Sequence, residues 1–182
     1  LPGMTVIVPC DAEEAKKATL AAAEIKDPVY LRFGREKTPV MTTPNTPFKI
    51  GQAEVFKNGK EAVIFVCGPL VHNALVAALQ LEQEKISVAV INIHTIKPLD
   101  KDTILKYAYE TKAVVSVEEH QIYGGLGGAV AEFLAQELPT PMEFIGVHDS
   151  FGESGTPAEL IEKFGMGVKS IKKAIKRVLN RK

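Results

Sequence analysis

Ile86–Ile93, ISVAVINI, is apolar at six of its eight positions. Strict alternation would mark a strand with one wet face. A run this continuous marks a strand covered on both faces, as in a parallel sheet held between helices. Its neighbours agree. Ala62–Val66 (AVIFV) upstream and Ala113–Val117 (AVVSV) and Glu143–Val147 downstream have the same composition. The intervals read as helices: Leu70, Ala74, Leu75, Ala78, Leu79 and Leu81 recur at near-helical spacing, Leu99–Glu110 carries Asp100 as its N-cap, and Ala129–Leu138 follows a glycine-rich loop. Thr156, Pro157 and Glu159 form a helix start with cap, proline at the first position and glutamate at the third. Val168–Arg181 is an amphipathic closing helix with a basic solvent face. Ala53–Phe56 and Ala62–Val66 flank Asn58-Gly59, which predicts a hairpin and one antiparallel strand.

The order from residue 50 is therefore β-β-α-β-α-β-α-β-α-α. It predicts a three-layer α/β domain with a mostly parallel sheet and one antiparallel strand. Further out, Met4–Val8, a helix Ala15–Ile25 capped by Asp11 with Glu14 three residues on, and Val29–Phe33 make a β-α-β unit. Thr38–Pro47 holds Pro39, Pro44 and Pro47 and has neither period, so it reads as a stiff linker. The expected division is residues 1–37, a linker at 38–47, and a second domain at 48–182. A chain that starts on Leu and runs at once into a strand is expected to be cut from a longer polypeptide.

Lys+Arg and Asp+Glu both count 22, and the zero net charge points away from nucleic acid and anionic membranes as partners. Cys10 and Cys67 lie in or beside apolar runs, as buried thiols of a cytoplasmic protein do. No apolar run approaches the ~20 residues that span a bilayer. His72, His94, His120 and His148 are scattered, with no ligand spacing for a metal.

Four features could carry chemistry. Gly124, Gly125, Gly127 and Gly128 open a helix, but no register yields G-x-G-x-x-G, which leaves tight packing or an anion on the helix start. Glu118, Glu119 and His120 follow a strand at the sheet edge where ligands bind, and read either as acid–base groups or as a polar loop. Arg35, after the strand Val29–Phe33 and Gly34, offers a fork of donors to a phosphate or carboxylate, or else a surface ion pair. Arg32 is the alternative in a shifted register.

Taken in order, these segments resemble the transketolase family. The resemblance rests on Leu1-Pro2-Gly3-Met4 through Pro9-Cys10-Asp11-Ala12-Glu13-Glu14, on Pro28–Arg35, and on Gly68-Pro69-Leu70-Val71 with Lys97-Pro98-Leu99-Asp100. Val117-Glu118-Glu119-His120, the glycines that follow and Phe151-Gly152-Glu153-Ser154-Gly155 complete it. It implies that residues 1–37 are the end of a pyrimidine-binding domain and 48–182 the family's C-terminal domain. It also implies an enzyme that moves a two-carbon ketol unit between sugar phosphates, with thiamine diphosphate and Mg²⁺ in the complete enzyme. By the same resemblance Arg35, or Arg32, is the substrate-binding residue, and the chain holds no catalytic, cofactor-binding or metal-binding residue. The family's activating glutamate and its diphosphate motif match nothing here. The expected assembly is therefore a homodimer of longer chains, or a heterotetramer with an N-terminal cofactor-binding subunit, inactive without it. A deoxyxylulose-phosphate synthase, a 2-oxoacid dehydrogenase beta subunit and a non-catalytic assembly module are the alternatives.

Overall fold

A computed structural model describes all 182 residues, Leu1–Lys182. The chain opens on β1 (Thr5–Ile7), α1 (Ala12–Ala23) and β2 (Val29–Leu31). It continues through β3 (Glu54–Lys57), β4 (Ala62–Val66), a short 3-10 turn, α2 (Val71–Gln83), β5 (Val88–Asn92), β6 (Thr95–Lys97) and α3 (Lys101–Thr111). Then come β7 (Val114–Gln121), α4 (Leu126–Glu137), β8 (Met142–Val147), α5 (Pro157–Lys163) and α6 (Val168–Leu179).

Five strands form one sheet in the order β3-β5-β4-β7-β8, parallel throughout except β3. Its strands alternate between two cores. Ala62, Ile64 and Val66 of β4 face α2 and α6, with Ala74, Leu81, Ile171 and Ile175. Val63 and Phe65 face α3 and α4, with Ile104, Ala108, Val130 and Leu134. Every residue of β4 and β5 is buried, as the continuous apolar runs require. Burying each of the larger aliphatic side chains contributes about 1.5–3 kcal/mol. The predicted three-layer α/β domain, mostly parallel with one antiparallel strand, is the observed one.

The hairpin is not. β3 is antiparallel, but its partner is β5, and β5 lies between β3 and β4. The Asn58-Gly59 segment carries the chain across the start of β5 rather than reversing it beside its own neighbour. The amides of Lys60 and Glu61 both donate to the Ser87 carbonyl, and Tyr107 donates to Asn58. At the crossing a Cβ on Gly59 would lie 2.1 Å from the backbone of Val88 and Ala89. Glycine is here because two main chains touch. Two further boundaries differ. β7 runs to Gln121, so Glu118–His120 belong to a strand, and α4 begins at Leu126, inside the glycine-rich segment.

A second sheet, β2-β1-β6, sets the N-terminal β-α-β unit against a strand that follows β5. β1 pairs parallel with β2 and antiparallel with β6, a strand too short and polar to announce itself in the sequence. The proline-containing segment 38–47 is itself tied down. The Asp11 carboxylate caps α1 through the Glu14 amide at 2.9 Å and also accepts from the amides of Met41 and Thr42 and the Thr42 hydroxyl at 2.6–2.7 Å. Burial alone would push Asp11 up, but these donors together hold its carboxyl below the ordinary range. Lys17 donates to the carbonyls of Thr43 and Thr46. Glu14 accepts from the Cys10 amide and from the Asn92 amide group, both at 2.7 Å, and so pins α1 to the end of β5. Burial pushes its carboxyl upward.

The basic face of α6 is largely neutralised at home. Lys172 and Lys176 meet Glu84 at 2.9 and 2.5 Å, and Arg177 and Arg181 meet Glu143 at 2.9 and 2.6 Å. Such exposed pairs, screened by water, add little to stability. Arg181 also donates to the Met142 carbonyl, so the outer edge of β8 is blunted by charge.

Candidate functional site

The carboxyl ends of β4, β5 and β7 meet the N-terminal sheet, and the polar residues singled out in the sequence gather along that seam. Glu118 is 2% exposed. Its two oxygens accept from the amides of Leu126 and Gly127, each at 2.8 Å. A strand-borne carboxylate thus caps α4 in place of the missing cap side chain at Gly125, where the helix dipole favours negative charge. Two donors that an external anion could have used are taken. Burial pushes the Glu118 carboxyl above its ordinary range, against the pull of the two amides. A Cβ on Gly125 would lie 2.0 Å from a Glu118 oxygen, which accounts for glycine there.

His120 Nδ1 donates to the Gln121 carbonyl at 2.7 Å and lies 3.8 Å from Glu118. With both carboxylate oxygens on amides and Nδ1 on a carbonyl, the pair caps a helix and a strand end and has no shared proton to move. His94 is structural as well. It is 1% exposed, stacks at 4.4 Å on Phe48 and bonds Thr95 at 2.9 Å. Burial lowers its pKa to about 4, against the pull of the Gln52 backbone and the Asp100 charge. The unfolded chain therefore binds the extra proton between pH 6.5 and 4, and the stability present above pH 6.5 is lost as pH falls. Urea unfolding should show roughly 3 kcal/mol lost across that window, and His94→Gln should flatten the slope. An unchanged slope in the variant would remove His94 as its cause.

Arg32 and Arg35 part company. Arg32 is half-buried, and its Nη2 donates to the Glu119 carbonyl at 2.8 Å, a strut from β2 to β7. It lines a small cavity of about 190 Å³ with Tyr30, Glu118 and His120. Arg35 stands at the turn after β2 with its side chain 95% exposed and only Glu36 at 3.3 Å as partner. It edges a larger cavity of about 360 Å³ with Lys37, His72, Asn73 and Glu119. Both thiols are free and buried, and burial pushes them upward. They are inert.

Residues 51–171 match the family described as transketolase, C-terminal domain. The chain belongs to the transketolase family. Among its relatives is the 6-deoxy-6-sulfo-D-fructose transketolase subunit SqwH of Clostridium sp. (strain MSTE9), 38% identical over 182 residues, covering 100% of this chain and 56% of the relative. One of the subunits of the apulose-4-phosphate transketolase of Phocaeicola vulgatus is 34% identical over 171 residues, covering 93% of this chain and 54% of the relative. A solved structure described as a split gene transketolase, inactive beta4 tetramer, superposes with a TM-score of 0.96 at 42% identity. It covers 99% of this chain and 59% of that one. The chain thus spans a little over half the length of each of these proteins. The fold is the transketolase one, and thiamine diphosphate is the cofactor that this family implies for the complete enzyme.

The signal that the sequence lacked was tertiary. Glu118 lies eight residues before the helix it caps, and Glu14 lies 78 residues from Asn92. Neither spacing belongs to any local motif.

Proposed function

We propose that this chain is the C-terminal part of a transketolase of the two-chain kind, which moves a two-carbon ketol unit between sugars bearing a terminal anionic group. The observation that carries this reading is the likeness, over almost the whole chain, to transketolase subunits and to a split-gene transketolase chain. The sulfo- and phospho-sugars in the relatives' names support the anionic substrate class.

In this reading thiamine diphosphate and Mg²⁺ are held elsewhere in the assembly. The buried carboxylates of this chain are engaged with the protein itself. Glu14, Asp11 and Glu118 are each committed to protein donors. No three His, Cys, Asp or Glu side chains come together as a metal site. The cofactor supplies the electron sink for ketol transfer when bound in the complete enzyme. This chain's part is scaffold and substrate contact. Residues 1–37 are read as the end of a pyrimidine-binding domain, 38–47 as a linker and 48–182 as the C-terminal domain. A reducing compartment such as the cytoplasm suits two free thiols. The paired charges of α6 argue against nucleic acid as a partner, and no helix is long and apolar enough to cross a membrane.

Calorimetry with thiamine diphosphate and Mg²⁺ tests the reading, on the chain alone and mixed with a cofactor-binding N-terminal subunit. Binding and ketol transfer in the mixture alone are expected. Neither in any mixture would turn the reading toward a non-catalytic assembly module. Arg35 is the substrate contact and Arg32 the strut. Arg35→Ala in the complete enzyme should raise KM for sugars with an anionic end about tenfold or more, the worth of one charge-assisted contact. An unchanged KM would remove Arg35 from the substrate site.

A further inference from the structure

Where the chain leaves β3 and crosses the start of β5, Asn58 is exposed, and Gly59 follows it with no side chain to shield its nitrogen. The amides of Lys60 and Glu61 reach the Ser87 carbonyl, but that of Gly59 donates to nothing. A free amide of this kind can close on the carboxamide before it. The five-membered ring keeps the two groups within reach, and no Cβ stands in the way. Tyr107 of α3 bears on the same carboxamide. It is 5% exposed, its ring sits in the same core as Ile104 and Val114, and its hydroxyl donates to Asn58 Oδ1 at 2.8 Å. A buried ring thus aims a fixed donor at the oxygen on which charge develops when a nucleophile adds to Cγ. A donor placed in advance stabilises that charge without having to reorganise. Lys60 and Lys57, the latter paired with Glu82 at 3.2 Å, flank the turn with charge of the favourable sign. Glu61 is the opposing charge, and its carboxylate is taken up by the Ser87 amide at 2.6 Å.

We propose that Asn58-Gly59 is a self-modification site, at which the folded chain deamidates Asn58 with the Tyr107 hydroxyl as oxyanion donor. The Gly59 nitrogen gives its proton to solvent and bonds to Asn58 Cγ, and the oxyanion formed on Oδ1 is held by the Tyr107 hydroxyl. The Cγ–Nδ2 bond then breaks and ammonia leaves, its extra proton drawn from solvent, so that a cyclic imide remains. Water opens the imide at either carbonyl. Addition at Cγ gives aspartate with an ordinary backbone, and addition at the main-chain carbon gives isoaspartate. Water is the only co-reactant, and nothing is oxidised or reduced. The two products differ in what they do to the fold. Isoaspartate adds a carbon to the main chain directly before the crossing, where Gly59 already lies against the backbone of Val88 and Ala89. The bonds from Lys60 and Glu61 to Ser87 depend on the length of that crossing, so isoaspartate loosens β3 from β5. Asn45, Asn73, Asn92 and Asn180 precede Thr46, Ala74, Ile93 and Arg181, whose side chains crowd the attacking nitrogen, and they serve as internal controls.

The test is mass spectrometry of the purified protein aged at neutral pH and body temperature, folded and in urea. A glutamate-specific protease releases Val55–Glu61, in which the aspartate and isoaspartate forms separate by chromatography. Acid at position 58 should accumulate in the folded protein at least as fast as in the unfolded chain, and ahead of every other asparagine. Tyr107→Phe should slow the folded-state reaction about tenfold, the effect of losing one hydrogen bond to a developing charge, and leave the unfolded rate unchanged. In the isoaspartyl fraction the amides of Lys60 and Glu61 should lose protection from hydrogen exchange. A folded protein that keeps Asn58 while the unfolded chain loses it would mean that the crossing protects the residue, and the inference falls. An unchanged or faster folded-state rate in Tyr107→Phe removes the hydroxyl as oxyanion donor and overturns it as well.

Discussion

Gly59→Ala is expected to cost about 4 kcal/mol of stability or more, the largest effect of any single methyl group in this chain. The added Cβ would sit 2.1 Å from the Ala89 nitrogen and the Val88 carbonyl carbon. Side chains yield to such a contact by changing rotamer, but two backbones do not. Moving the crossing segment away breaks the bonds from the Lys60 and Glu61 amides to Ser87 and disturbs the start of β5, which is buried on both faces. Gly128→Ala supplies the contrast. It lies in the first turn of α4 with nothing within 4 Å of its added carbon, and alanine there should stabilise by about 0.5–1 kcal/mol through helix propensity. Urea midpoints of the two variants should therefore move in opposite directions. A Gly59→Ala protein within about 1 kcal/mol of the parent would mean that the two chains do not pass this closely.

Glu118→Ala should cost about 3 kcal/mol. Two buried amides at the start of α4 lose their acceptor, and an unmade hydrogen bond of this kind costs about 1–3 kcal/mol. A side chain buried among Ser116, Gly125 and Leu126 also leaves a void. Because burial raises the Glu118 carboxyl, its ionised form is disfavoured in the folded protein, so any stability it lends is present below the unfolded pKa and lost as pH rises through the folded one. Glu118→Gln keeps the shape and one acceptor oxygen and should cost about half as much as alanine. Chemical denaturation of both variants at pH 7 checks this, with hydrogen exchange at Leu126 and Gly127 as the local readout. Equal losses for Gln and Ala would show that charge, not acceptor geometry, carries the cap.

Much of the architecture was legible in ISVAVINI and its neighbours. Apolar runs without alternation have to be covered twice, and only helices on both faces of a parallel sheet do that economically. Caps were legible wherever they are local. Asp11 accepts from Glu14, Asp100 accepts from Thr103, and Thr156 with Glu159 forms a reciprocal box, all within a span of three residues. The strand order was another matter. Asn58-Gly59 has the composition of a hairpin turn, and nothing local says that β5 will be inserted between β3 and β4. That order follows from burial, since β4 is apolar at every position and belongs in the interior of the sheet.

The candidate site was visible only as residue types. Arg32 and Arg35 are three positions apart in one strand and turn, and their sequence offers no way to choose between them. The fold does, because Arg32 meets the Glu119 carbonyl 87 residues away while Arg35 is left in solvent beside a cleft. The sequence by itself determined the class of fold, the local helix caps and the apolar strands, since these depend on neighbours a few residues off. Only the tertiary structure decided which arginine is free, what Glu118 holds and why Gly59 must be glycine. Those properties arise where segments distant in the chain are brought within contact distance, and local spacing carries no record of them.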